Sequence, residues 1–315
     1  MKKVLFYRVF NAFKGYTGGH QKLYDYYHHM SLCDEFEINI VFSEDTLWDK
    51  SNPWMGEYKQ IVKKENLNVE DYDILFVEGT DWMDVQKEIE NDITVINLIQ
   101  AVRHANPNNI RFNFLNRKAI RIAVSKEVAV AIKDTKKVLG PIYTIENGHE
   151  MPHMQQEKVN DIYILGFKNP HLASDLENDL KKLGYKVICT KNKVYREKVF
   201  MNMVSSKVSI VLPNQTENEG FFLPALEAMK YSNMTIVPDC VGNRSFCFDK
   251  KNCLMPLYRK EDILNSTIEA IKILNDSSLF EQYKINTQQV LDKHSLENER
   301  DAFYNVLKQE GILNS

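Results

Sequence analysis

"SKVSIVLPNQTENEGFFLPALEAMKYSN", residues 206–233, reads as a buried strand, an irregular loop around Gly220 and a helix whose first turn holds Pro224. Proline suits that turn because the first helical N–H has no partner inside the helix. The loop and helix start aim backbone amides at one spot, an arrangement that favours an anion. Glu219 in the loop and Glu227, predicted on the first helical turn, stand eight positions apart and could address one ligand from two sides. A carboxylate accepts from two vicinal hydroxyls, the chemistry of a sugar or ribose. Phosphate held by amides between two such carboxylates describes a nucleotide sugar.

The same strand–helix alternation runs along the chain. The first half holds the short apolar runs "VLFYRVF", "EINIVF", "DILFVEG", "ITVINLI", "AIRIAV" and "IYTIEN", with helical patterns such as "GHQKLYDYYHHM" and "SKEVAVAIKD" between some of them. Nearly continuous apolar strands are what a parallel sheet buried on both faces requires. The second half repeats the pattern from "DIYILG" to "MTIVPD". The predicted fold class is therefore α/β, with two Rossmann-like doubly wound parallel-sheet domains facing across a cleft. The polar stretch "GHEMPHMQQEKVND", residues 148–161, marks the seam. The expected domains are 1–152 on the acceptor side and 158–295 on the nucleotide-sugar side, with a C-terminal helix at 296–315 that crosses back to the first.

Composition narrows the function classes. A length of 315 residues suits two domains, and 43% hydrophobic with 26% charged residues excludes disorder. The net charge of −3 gives no global reason to expect nucleic acid. A local basic excess at residues 103–137 fits either a solvated helical face or peripheral contact with an anionic acceptor or membrane surface. Five cysteines without paired C-x-x-C spacing argue against a disulfide framework and a zinc site. The N-terminal apolar run is too short for a signal-peptide core or a membrane span, so a cytoplasmic protein is expected, in places at the inner membrane face.

"ENEGFFLPALEAM" resembles the E-x7-E signature of the family 4 retaining glycosyltransferases, which have the GT-B fold. The resemblance extends to Ser125 in "IAVSKEVAVAI", to Asn147, Gly148, His149 and Glu150 in "IENGHEMP", and to Asp239, Gly242 and Asn243 after the E-x7-E helix. These motifs stand in the family's order over much of residues 118–256. The resemblance implies a nucleotide-diphosphate sugar donor, a glycan, lipid-linked or other hydroxyl acceptor, and no metal or other cofactor. It implies that Glu227 binds the ribose, that Glu219 contacts the donor sugar, and that the backbone of Gly220, Phe221, Phe222 and Leu223 holds sugar hydroxyls and diphosphate. Gly18 and Gly19 resemble the family's N-terminal glycine loop.

The chain departs from that pattern in two places. The family usually has two cations early in the second domain; here Lys168 is well placed, but Ala173 stands where the second would be. Gln100 occupies a position that is often histidine, with His104 four residues later as a candidate cleft residue. The implied activity is retaining glycosyl transfer; a nucleotide-sugar epimerase or hydrolase, or a non-catalytic nucleotide-sugar-binding subunit, stays open beside it. "DYD", residues 71–73, has the form of a metal-binding D-x-D but stands directly before a strand, where it reads as a turn. His28 and His29 read as surface and packing residues, because no carboxylate stands near them at ligand spacing. "RVFNAFKGYTGG" and "EGTDWMD" are candidate acceptor lining.

Overall fold

The computed structural model describes residues 1–87, 89, 92–214 and 219–314. Glu217 and Asn218, the first two residues of the E-x7-E stretch, lie outside the described residues. The chain divides into two compact units, Met1–Asn147 with Leu296–Ser315, and Gly148–Ser295.

The first unit is built on β1 (Lys2–Arg8), β2 (Phe36–Phe42), β3 (Ile74–Glu78), β4 (Thr94–Ile99), β5 (Ile120–Ala123) and β6 (Ile142–Thr144). They form one parallel sheet in the order β2-β1-β3-β4-β5-β6. Alternation sends Leu5, Tyr7, Leu75 and Val77 to one apolar layer with Trp82 and Val95. The other face stacks Phe6 on Phe76 at 4.5 Å, and Tyr26 of helix α1 (Gly18–Ser31) packs over Phe76 at 5.8 Å. Both faces are covered, which explains why these strands read as unbroken apolar runs. Helix α2 (Lys126–Asp134) follows β5 and is capped by Ser125, whose hydroxyl accepts from Val128 N at 3.3 Å.

The second unit carries β7 (Asn160–Leu165), β8 (Val187–Thr190), β9 (Ser206–Val211) and β10 (Met234–Ile236), all parallel, in the order β10-β9-β7-β8. Helices α3 (Pro170–Lys182), α4 (Arg196–Val204), α5 (Leu223–Tyr231), α6 (Lys260–Leu274) and α7 (Ser277–Lys293) accompany them. Tyr163 and Leu165 face the layer that includes Phe200, Leu226 and Met229; Ile162 and Ile164 face the one that includes Leu176, Leu180 and Ile263.

Helix α8 (Leu296–Gln309) belongs to the first unit. Its Phe303 ring meets Tyr26 at 4.9 Å. Its Glu299 is buried between Lys22 (2.7 Å) and His29 (3.0 Å) of α1. His29 therefore has a carboxylate partner that no local spacing could reveal. His28, by contrast, is exposed. Among the described residues no helix is long and apolar enough to cross a membrane.

Candidate functional site

In each sheet the chain lays a second strand on one side of the first and then reverses, so the crevice at the strands' C-terminal ends opens between β1 and β3 in one unit and between β7 and β9 in the other. Open parallel sheets bind ligands at such points. Charged residues collect at both.

In the second unit, Lys168 follows β7 and Glu219 lies in the loop after β9, and the two form an ion pair. Both side chains keep about a fifth to a quarter of their surface exposed, at 24% and 21%. The Lys168 ammonium also lies 4.9 Å from the centre of the Phe222 ring. The loop is fastened from below: Phe222 N donates to Gly242 O at 2.9 Å, and a Cβ on Gly242 would stand 2.8 Å from Glu219 O. Only glycine allows that approach, a physical reason for Gly242 that spacing alone does not supply. Asn243 locks the neighbouring turn, accepting from Cys240 N at 3.2 Å and donating to Pro238 O at 3.1 Å.

The amides expected to face a ligand divide into two groups. Phe222 N is committed to Gly242 O and Leu223 N to Phe221 O at 3.2 Å, whereas Gly220 N and Phe221 N donate to no described residue. Pro224 lies in the first turn of α5 as expected. The helix begins at Leu223, one residue earlier than expected, so Glu227 is its fifth residue and stands just beyond the first turn.

Glu227 is 6% exposed, and its Oε1 receives Arg196 Nε at 3.2 Å and Nη2 at 3.1 Å and lies 3.0 Å from His149 Nε2. Arg196 Nη2 also meets His149 Nε2. A guanidinium only donates, so that contact is satisfied while the imidazole nitrogen is unprotonated; a proton there would make His149 the donor to Glu227 instead. Among the described residues every hydrogen bond to Glu227 falls on Oε1, leaving Oε2 uncommitted. Burial alone would push this carboxyl up, but His149 and Arg196 outweigh it and hold Glu227 below the usual carboxylate range.

Arg196 was missed in the sequence reading. It opens α4 after the loop 191–195 that follows β8, and its guanidinium lies 4.6 Å over the Phe200 ring. Its place at the start of a helix that follows a strand was the one available signal. It gives the second unit another cation besides Lys168, although Ala173 does occupy the position where a second was sought.

The other predicted residues belong to the first unit. Gly18 and Gly19 open α1; Thr17 caps it by accepting from His20 N at 3.2 Å, and Gln100 donates to Gly19 O at 3.0 Å. A Cβ on Gly19 would meet the Gln100 side chain at 3.5 Å, ordinary contact. His104 is buried in the short turn Val102–Ala105. Burial pushes its imidazole down to about 3, with Arg111, Arg103 and Arg121 adding to the shift, so it is neutral at physiological pH.

The basic stretch is only partly a surface. Arg121 is buried and donates to Phe114 O (2.9 Å) and Asn97 Oδ1 (2.6 Å), while Arg117 lies 4.7 Å over the Trp82 ring. Lys126, Lys133, Lys136 and Lys137 are exposed. The "DYD" carboxylates serve the chain leading into β3: Asp73 accepts from Lys3 N at 2.7 Å and Asp71 from Asn68 at 3.1 Å.

No known family's sequence profile matches the chain, and no curated protein sequence does. Solved structures do. HepE of Anabaena in complex with UDP-glucose is 14% identical, with a TM-score of 0.71 over 98% of this chain and 100% of that one. Sucrose-phosphate synthase from Thermosynechococcus elongatus is 10% identical, with a TM-score of 0.70 over 98% and 99%. T4 phage BGT in complex with its UDP-glucose substrate is 11% identical, with a TM-score of 0.56 over 97% and 99%. At such identities the likeness establishes the fold: α/β with two Rossmann-like parallel-sheet units, the GT-B class.

Proposed function

We propose that the chain is a retaining glycosyltransferase that moves a sugar from a nucleoside-diphosphate sugar to an acceptor hydroxyl without a metal ion. The observation that carries this reading is Glu227, a buried carboxylate kept ionised by Arg196 and His149 with one oxygen uncommitted. That oxygen suits two vicinal ribose hydroxyls. The neighbours bound to UDP-glucose support a uridine donor as the first to try.

In this reading the donor diphosphate lies against Lys168 and the amides of Gly220 and Phe221. Among the described residues Lys168 has a single carboxylate partner and keeps N–H donors to offer. Glu219 then faces the donor sugar. As the bond from the anomeric carbon to the phosphate oxygen breaks, negative charge grows where these donors point, and fixed donors stabilise it without reorganising. The acceptor oxygen bonds to the same face of the carbon, and its proton passes to the departing phosphate. No side-chain nucleophile is needed. Exposed lysines on α2 suit an acceptor presented at an anionic surface.

Calorimetry with UDP and initial rates with UDP-glucose and other nucleotide sugars, each with and without excess chelator, test this reading. The expected result is binding and turnover that chelation does not reduce. Activity lost on chelation and restored by manganese would overturn the metal-free mechanism, and no binding of any nucleotide sugar would overturn the reading as a whole.

A further inference from the structure

The two segments singled out as acceptor lining, "RVFNAFKGYTGG" and "EGTDWMD", are brought together at the switch point of the first sheet by a buried network. Arg8 ends β1 and is 3% exposed; its Nη1 donates to Asp81 Oδ2 and Glu78 Oε2, both at 2.7 Å. Its Nη2 reaches Asn11 O at 3.3 Å and His20 Nδ1 at 3.0 Å. Asp81 is fully buried, and its Oδ1 accepts from the amides of Phe10 (3.1 Å) and Asn11 (3.0 Å). Thr80 donates to Asn11 Oδ1 at 2.7 Å, and Asn11 Nδ2 to Glu78 O at 3.3 Å. The backbone of residues 8–11 is thereby held from both sides.

Burying a charge pair costs desolvation that an apolar pair would avoid, so such a network is poorly explained by stability alone. What it fixes is visible in the exposure of the loop. Phe13 is tucked in at 2%, but Phe10, whose amide Asp81 holds, keeps 50% of its surface in solvent. Beside the same network stands Glu78, at the end of β3. Among the described residues only its Oε2 is engaged by a cation, and its side chain is 18% exposed. An exposed aromatic residue whose backbone Asp81 holds, and a carboxylate that shares Arg8 with Asp81 and whose Oε1 no described residue engages, together match one ligand chemistry well. A pyranose has an apolar C–H face to lay on the ring and a rim of hydroxyls to donate to the oxygen.

We infer that Phe10 and Glu78 form a subsite for a pyranose ring of the acceptor, so that the acceptor class is a carbohydrate rather than a bare lipid alcohol or a peptide hydroxyl. This rests on the transferase reading and adds the acceptor's chemistry to it. Phe10 is a specificity residue here, and the Arg8–Asp81 pair is its mount.

The test separates the two claims. UDP affinity and donor hydrolysis by the unaltered chain are measured first; absence of both removes the transferase reading, and this inference with it. Transfer is then measured to methyl α- and β-pyranosides of glucose, galactose, mannose and N-acetylglucosamine, with glycerol and a serine peptide as non-carbohydrate acceptors. For the preferred pyranoside, Phe10→Ala should lower kcat/KM by about tenfold or more and Phe10→Trp should recover most of it, with UDP affinity and donor hydrolysis within about twofold of the unaltered chain. Because Phe10 is half exposed, its truncation leaves the core intact. Transfer confined to glycerol or the peptide, no pyranoside accepted, or equal transfer by Phe10→Ala would each overturn the subsite while leaving the donor reading standing.

Discussion

Asp81 and Glu227 are both buried carboxylates facing an arginine, one in each unit, yet their surroundings drive them in opposite directions. Burial raises Asp81 to about 6; Arg8 offsets part of this, but Glu78 draws on the same guanidinium and adds its own negative charge. Around Glu227 burial pushes the same way, but His149 and Arg196 outweigh it and it titrates below its ordinary range. The difference lies in the neighbouring charges, a second carboxylate beside Asp81 and a histidine and an arginine beside Glu227, and burial alone does not decide the charge. Lys168 extends the contrast. Arg8 is saturated by fixed partners and sealed from water, whereas Lys168 has one carboxylate partner among the described residues and partial exposure. The first arrangement suits a mount, and the second suits a ligand contact.

Removing each cation should break the comparison most sharply. Arg8→Met leaves two carboxylates uncompensated and should cost about 3–5 kcal/mol of stability by denaturant unfolding of the first unit. Lys168→Ala removes a part-exposed pair and should cost only about 0–1 kcal/mol of stability. It should nevertheless raise the barrier to transfer by about 2–4 kcal/mol, if Lys168 faces charge that grows on the departing diphosphate. A slow but stable Arg8→Met protein, or an unfolded Lys168→Ala protein, would reverse the assignment of mount and contact.

The two glutamates of the second unit come next. Glu227→Gln keeps the shape but gives up charge-assisted acceptance from ribose, so affinity for UDP and for the intact donor should fall together by about 1.5–3 kcal/mol in calorimetry. Glu219→Gln should leave UDP affinity nearly unchanged and lower turnover. Equal losses of UDP affinity would dissolve that division.

The smallest effect, and the one that isolates the charge contrast, is its pH dependence. Because Asp81 is raised in the folded chain, its contribution to stability is complete below the unfolded value of 3.8 and is lost as pH rises through about 6. The stability difference between the unaltered chain and Asp81→Asn should therefore shrink by about 2–3 kcal/mol between pH 4 and pH 7. Glu227 has the opposite sign: its contribution is present above the unfolded value of 4.5 and is lost as pH falls through its lower folded value. The difference from Glu227→Gln should thus shrink on acidification. Parallel pH profiles for the two pairs would remove the contrast.

The sheets were readable because burial on both faces writes itself into consecutive residues. "VLFYRVF" and "DIYILG" could hardly be anything but strands of a covered parallel sheet, and they became β1 and β7. Pro224 and the glycine-aromatic run likewise announced the start of α5. The surroundings of Glu227 were not readable, since the start of α5 was read within one residue but the groups that meet Glu227 come from distant parts of the chain.

The sequence by itself determined the alternation of strands and helices, the two-sheet architecture and the candidate pairing of Glu219 with Glu227 along one loop and helix. Tertiary structure alone decided what those groups meet. Arg196 and His149 reach Glu227 from 31 and 78 residues away, Arg8 joins Asp81 across 73, and Glu299 closes on Lys22 across 277. Periodicity and turn chemistry are local properties of the chain and extend over a helical turn or a strand. The charge state of a buried carboxylate depends on which distant cations folding brings within about 3 Å of it, and on the other charges beside it.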